Sequence, residues 1–176
     1  GKYYKLTNDI VVNENIDADP ENWFFVSSET DDRFCFAGDF DGAGHKISGL
    51  YINLSAGGYW YGTGLFPTAT AGAKIHDVAV VNSSLTLKDG KVGSIIGYIF
   101  LPDSKGNLEG DGIPTVSRCY ADESVTLVSG GSGVGGIVGC TVGRTDIEDC
   151  GFTGSVSASS DTFGGIVGAH WNYTLL

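Results

Sequence analysis

The segment Gly38 to Leu50, GDFDGAGHKISGL, places Asp39, Asp41 and His45 around a glycine-rich turn. Neighbouring carboxylates ahead of a glycine are residue types that a calcium loop uses, and a nearby imidazole can act as a base. The further oxygen ligands and the closing Glu of an EF-hand are missing, so Asp39 and Asp41 are only weak metal candidates. The segment reads instead as a corner. Phe40 points inward, Gly42 and Gly44 form the turn, and Asp41 accepts backbone amides as turn Asp residues do. His45 reads as a hydrogen-bonding post, and no metal or cofactor is expected.

Flat aromatic rings can cover sugar faces, and three clusters offer them: NWFF (22–25), GYWYG (58–62) and HWNY (170–173). Trp23 and Trp171 read better as covers for the ends of the molecule. Tyr59, Trp60 and Tyr61 fall in a loop and are the binding candidates. Cys35, Cys119, Cys140 and Cys150 form no C-x-x-C pair and therefore no recognisable zinc site.

The elements that must position these residues emerge from comparing the sequence with itself. VGSIIG (92–97), VGGIVG (134–139) and FGGIVG (163–168) are versions of one phrase, with GTGLFP (62–67) a looser fourth. Each follows a second phrase: ISGLYI from Ile47, IHDVAV from Ile75, VSRCYA from Val116 and IEDCGF from Ile147. A repeat of about 28–31 residues is too short to bury a core alone, so the units must stack as the coils of a solenoid. An insertion interrupts the series at 98–114.

Alignment of the phrases predicts inward columns of Leu50, Val78, Cys119 and Cys150, and of Ile52, Val80, Ala121 and Phe152. It also aligns SLTL (84–87), SVTL (124–127) and SVSA (155–158), with Leu85, Val125 and Val156 inward and a hydroxyl ladder outward. Gly135, Gly136, Gly164 and Gly165 read as corner residues. Asp77, Arg118 and Asp149 share one position in three successive coils, which predicts a charge ladder with a rung spacing of about 5 Å. Cys119 and Cys150 read as buried free thiols rather than a disulfide, because in-register neighbours hold their Cβ vectors side by side.

Composition narrows the function. Glycine contributes 28 of 176 residues, and no apolar run approaches the length of a membrane span. A net charge of −11 opposes binding to a phosphate backbone, so nucleic acid is an unsuitable partner.

The opening GKYYKLTNDI, the segment FAGDFDGAGHKISGLYIN (36–53) and the recurring VGGIVG and I-x-x-C phrases together resemble the GLUG-type repeats of bacterial surface proteins. The resemblance implies a right-handed parallel β-helix, secreted or held at the cell surface. It supplies no catalytic residues.

The expectation is an all-β solenoid of about four to five coils in a single domain, 1–176. Residues 1–46 form an N-terminal capping coil and 47–176 the four repeats. The expected function is a non-catalytic extracellular binding, adhesion or spacer module, partnered by a host or microbial surface glycan or protein and by further domains of the same chain. The alternative is a carbohydrate-active β-helix enzyme, a polysaccharide lyase or hydrolase, with Asp77, Arg118 and Asp149 on its outward strip. A third reading is surface binding through the hydroxyl ladder.

Overall fold

The computed structural model describes residues 2–23, 35–55, 62–100 and 112–171. Within them the chain is an all-β parallel solenoid of about four turns, with no helix. Five sheets run along the stack, each strand of a sheet coming from a different coil, and two of them take a fifth strand from the N-terminal residues. The first joins Tyr3–Lys5, Asp39–Asp41, Lys74–His76, Thr115–Ser117 and Asp146–Glu148. The second joins Ile10–Val11, Lys46–Ser48, Ala79–Val81, Tyr120–Ala121 and Gly151–Phe152.

The third sheet contains Tyr51–Leu54, Ser83–Leu87, Val125–Ser129 and Ser155–Ala158. The fourth contains Gly62–Thr63, Lys91–Gly93, Val134–Gly135 and Phe163–Gly164, and the fifth Phe66–Ala69, Ile96–Ile99, Val138–Val142 and Val167–Trp171. Every described pairing is parallel, which lets each coil repeat the path of the one before it.

Two-residue alternation explains why these short runs form strands. In Ser83–Leu87 the side chains alternate between buried and half-buried, and Leu85 and Leu87 enter the core. Leu85 pairs with Leu127, and Leu127 with Val156, so apolar groups stack on apolar groups through successive coils. The first sheet supplies a second column, in which Phe40, Ile75, Val116 and Ile147 face the interior.

The ladder registers correct several sequence expectations. Val80, Ala121 and Phe152 do share a column, but their partner in the first complete coil is Ile47 rather than Ile52. Ile52 pairs with Leu85. Leu50 likewise has no place in the Val78 column; its amide meets the Ser83 hydroxyl. The cause is the corner between the first and second sheets. Ala43 and Gly44 both take left-handed backbone there, lengthening it relative to the later coils. Phe40, not Ile47, is therefore the partner of Ile75, and the first complete coil opens at Asp39 instead of following residue 46.

The hydroxyl row is also displaced. Ser84 pairs with Thr126 and Thr126 with Ser155, leaving Ser124 outside the row. Ser124 belongs to a turn, where its amide donates to Asp122 and its hydroxyl accepts the Asn82 amide. A two-residue shift preserves the face, so Val125 remains inward. The next outward row reads Thr86, Val128 and Ser157, and the valine breaks the flat hydroxyl array that surface binding would need.

Tyr98 and Ile99 pair within the fifth sheet, so the extra residues between the second and third complete coils begin after them rather than at 98. The step from Val116 to Ile147 is 31 residues, and from Ile75 to Val116 it is 41. Residues 101–111 lie outside the described residues.

The paired glycines answer to close approach rather than to positive φ. A Cβ on Gly136 would lie 2.1 Å from the Gly165 carbonyl oxygen and 2.3 Å from the Phe152 ring. One on Gly165, in the last coil, would meet nothing within 4 Å. Gly136→Ala should therefore lower the melting temperature sharply and Gly165→Ala should leave it nearly unchanged, as thermal denaturation of the two variants would show. Equal effects would contradict the stacking order.

Candidate functional site

The first sheet carries a charged outward strip. Inward Phe40 and Ile75 turn their neighbours toward solvent, giving two rows: Tyr3, Asp39, Lys74, Thr115 and Asp146; then Lys5, Asp41, His76, Ser117 and Glu148. Just beyond the second row the chain turns into the second sheet. Asp77, Arg118 and Asp149 occupy that turn in successive coils, with φ of 57°, 52° and 50°. Left-handed backbone is tolerated by Asp and costs more at Arg, so the Arg118 position is held by its surroundings.

His76 is the centre of the strip. Its Nε2 lies 3.0 Å from Asp39 Oδ1, and its Nδ1 lies 2.6 Å from Asp77 Oδ2 and 3.8 Å from Asp41 Oδ1. Asp77 in turn receives both arms of Arg118, at 2.6 Å from Nε and 2.7 Å from the terminal nitrogen. That fork is the planar arrangement best suited to a carboxylate. Asp149 adds electrostatic attraction to Arg118 from the following coil.

On the other side, Asp41 accepts the Tyr3 hydroxyl at 2.7 Å and the Ala43 amide at 2.7 Å, with Lys5 Nζ at 3.2 Å. Asp41 is thus the capping residue of its corner, as the sequence suggests, and also a member of the strip. His45 lies apart, 3.1 Å from Asp9, in the role of a post.

These contacts fix the charge states. Hydrogen bonds from Arg118, then His76, hold the Asp77 carboxyl well below the usual carboxylate range. Those from Tyr3 and the Ala43 amide lower Asp41. The reciprocal bond to Asp77 raises Arg118. Sequence reasoning identified Asp39, Asp41, Asp77 and Arg118 separately but gave His76 no role. The phrase IHDVAV contained the signal, since an imidazole next to Asp77 and one row from Asp41 converges with both once the coils stack.

The remaining candidates are distributed elsewhere. Cys119 and Cys150 occupy one inward column as free thiols, Cys119 buried and Cys150 half-buried. The hydrogen bond between them, together with burial, pushes the Cys119 thiol up; the same bond lowers Cys150. Tyr59, Trp60 and Tyr61 lie outside the described residues. Trp23 packs against the core near the first coil. Trp171 is 40% exposed on the last strand of the fifth sheet. Lys91 Nζ lies 5.0 Å from the Tyr98 ring centre and 5.1 Å from that of Trp171, a cation between two aromatic faces.

Compared with known proteins, the chain matches no family model, no curated protein and no solved structure.

The lowered Asp77 pKa carries a pH signature. A carboxylate whose folded pKa falls below its ordinary 3.8 contributes stability above that value and loses it as pH drops through the folded pKa. Arg118→Ala should cause a small drop in melting temperature at neutral pH, and the gap from the natural protein should close as pH falls below 3.8. A gap independent of pH would show that Arg118 acts by packing alone.

Proposed function

We propose that the chain is a non-catalytic extracellular binding or spacer module of a bacterial surface protein, with a glycan or protein of a host or microbial surface as its partner. The observation that carries this reading is the engagement of the strip's reactive groups with one another. A general base needs a nitrogen lone pair free to face substrate. Both ring nitrogens of His76 face carboxylates, and Arg118 is spent on Asp77. The arrangement favours a rigid charged surface over a reaction centre. The resemblance of FDGAGHKISGLYI and the VGGIVG phrases to GLUG-type repeats supports the extracellular setting.

A stack of in-register coils suits an extended ligand, because outward side chains recur at the strand spacing of about 4.8 Å. The aromatic side chains of Tyr59, Trp60 and Tyr61 would supply the anchoring area, since a ring offers much apolar surface for little ordering cost. A glycan array with the purified domain, run beside an assay for reducing ends or unsaturated sugars released from a polysaccharide panel, tests the proposal. Binding without turnover, abolished by Trp60→Ala in a variant that keeps its β circular dichroism, is the expected result. Turnover that disappears with Asp77→Ala or Arg118→Ala would overturn it in favour of a lyase or hydrolase.

A further inference from the structure

We infer that the outward strip of the first sheet contains a binding site for a divalent transition-metal ion, with Asp41, His76 and Asp77 as ligands and Asp39 orienting the imidazole. One ligand atom from each of the three lies within 4.8 Å of the other two. The His76 Nδ1 separations are 3.8 Å to Asp41 Oδ1 and 2.6 Å to Asp77 Oδ2. Small rotations of the carboxylates bring all three around an ion held at bonds of about 2.0–2.2 Å. The side chains of Asp41, His76 and Asp77 are 13%, 23% and 31% exposed, so an ion can reach them from solvent.

The imidazole supplies a separate argument. A neutral ring has one N–H donor and one lone pair. With carboxylate oxygens 2.6 Å from Nδ1 and 3.0 Å from Nε2, a neutral His76 sets its lone pair against an oxyanion on one side. A cation between Nδ1 and Asp77 Oδ2 relieves that contact, and two features of the geometry suit a metal ion there. Asp41 adds a third ligand on the Nδ1 side. Asp39 accepts from Nε2, the outer partner that fixes the tautomer of a ligating histidine and turns the Nδ1 lone pair toward Asp41 and Asp77.

Charge and donor type agree. Asp39, Asp41, Asp77 and Asp149 lie among Lys5, Lys74 and Arg118, so carboxylates outnumber the fixed cations by one and the group can accept positive charge. Tyr3 and Lys5 occupy Asp41 Oδ2, so Asp41 Oδ1, which accepts the Ala43 amide, and Asp77 Oδ2, which accepts Arg118, are the oxygens with a lone pair left for the ion. One imidazole nitrogen with two carboxylate oxygens suits ions of the manganese, cobalt and zinc type, rather than the all-oxygen shell of calcium. The ion would tie Asp41 of one coil to His76 and Asp77 of the next.

The test uses the whole 176-residue chain with Mn²⁺ and Co²⁺ as probes, since the half-buried Cys150 thiol would complicate Zn²⁺. Equilibrium dialysis should find one ion per chain and thermal melts a rise in melting temperature that chelator reverses. Mn²⁺ should broaden the His76 ring resonances ahead of those of His45. His76→Ala should lose binding, Asp39→Asn should weaken it about 10–100-fold as an outer-shell partner does, and His45→Ala should retain it. No retained ion, unchanged affinity in His76→Ala, loss in His45→Ala, or retention of Ca²⁺ without Mn²⁺ would each overturn the site. If His76→Ala fails to fold, the broadening pattern and Asp39→Asn decide the question.

Discussion

Parallel coils stacked at the strand spacing of about 4.8 Å put each side chain directly over its counterpart in the next coil, and the rest of the structure follows from that proximity. Inward columns must be apolar along their whole length, as Leu85, Leu127 and Val156 are. Where backbone approaches backbone, no Cβ fits, which is why one column reads Gly93, Gly135 and Gly164. Outward rows face the opposite problem, because a chain with net charge −11 must avoid stacking carboxylates. In the first sheet Asp39 lies between Tyr3 and Lys74, and Asp41 between Lys5 and His76. At the adjoining turn Arg118 separates Asp77 from Asp149. Opposite or neutral neighbours at every one of these steps convert a repulsive surface into a hydrogen-bonded one.

The same constraint governs what is legible in the sequence. Repetition of VGGIVG and I-x-x-C revealed the solenoid, the inward faces and the shared position of Asp77, Arg118 and Asp149. Coil-to-coil register was harder. The left-handed Ala43 and Gly44 lengthen one corner, so ISGLYI resembles IHDVAV in sequence while occupying the next sheet. Ser124 likewise looks like Ser84 but is drawn into a turn by Asp122. The shift at Ser124 is two residues, which leaves the face unchanged and the partner wrong, whereas ISGLYI is displaced by five, Ile47 meeting Val80 instead of Ile75.

The candidate site was hidden for the same reason. His76 sits between two acids only when Phe40 lies over Ile75, and the sequence alignment had placed Ile47 there. With the ladder register, Asp39 and Asp41 cease to be a fragment of a calcium loop and become two walls around an imidazole. Members of the strip alternate with inward residues and bond one another across coils.

The register of the first complete coil is therefore the central structural claim, and proton–proton contacts measured by NMR test it most directly. Amide and α-proton contacts across the strands should connect Phe40 with Ile75, Ile75 with Val116, and Ile47 with Val80. Contacts joining Ile47 to Ile75, the register suggested by the phrases alone, would contradict the account and dissolve the His76 cluster with it.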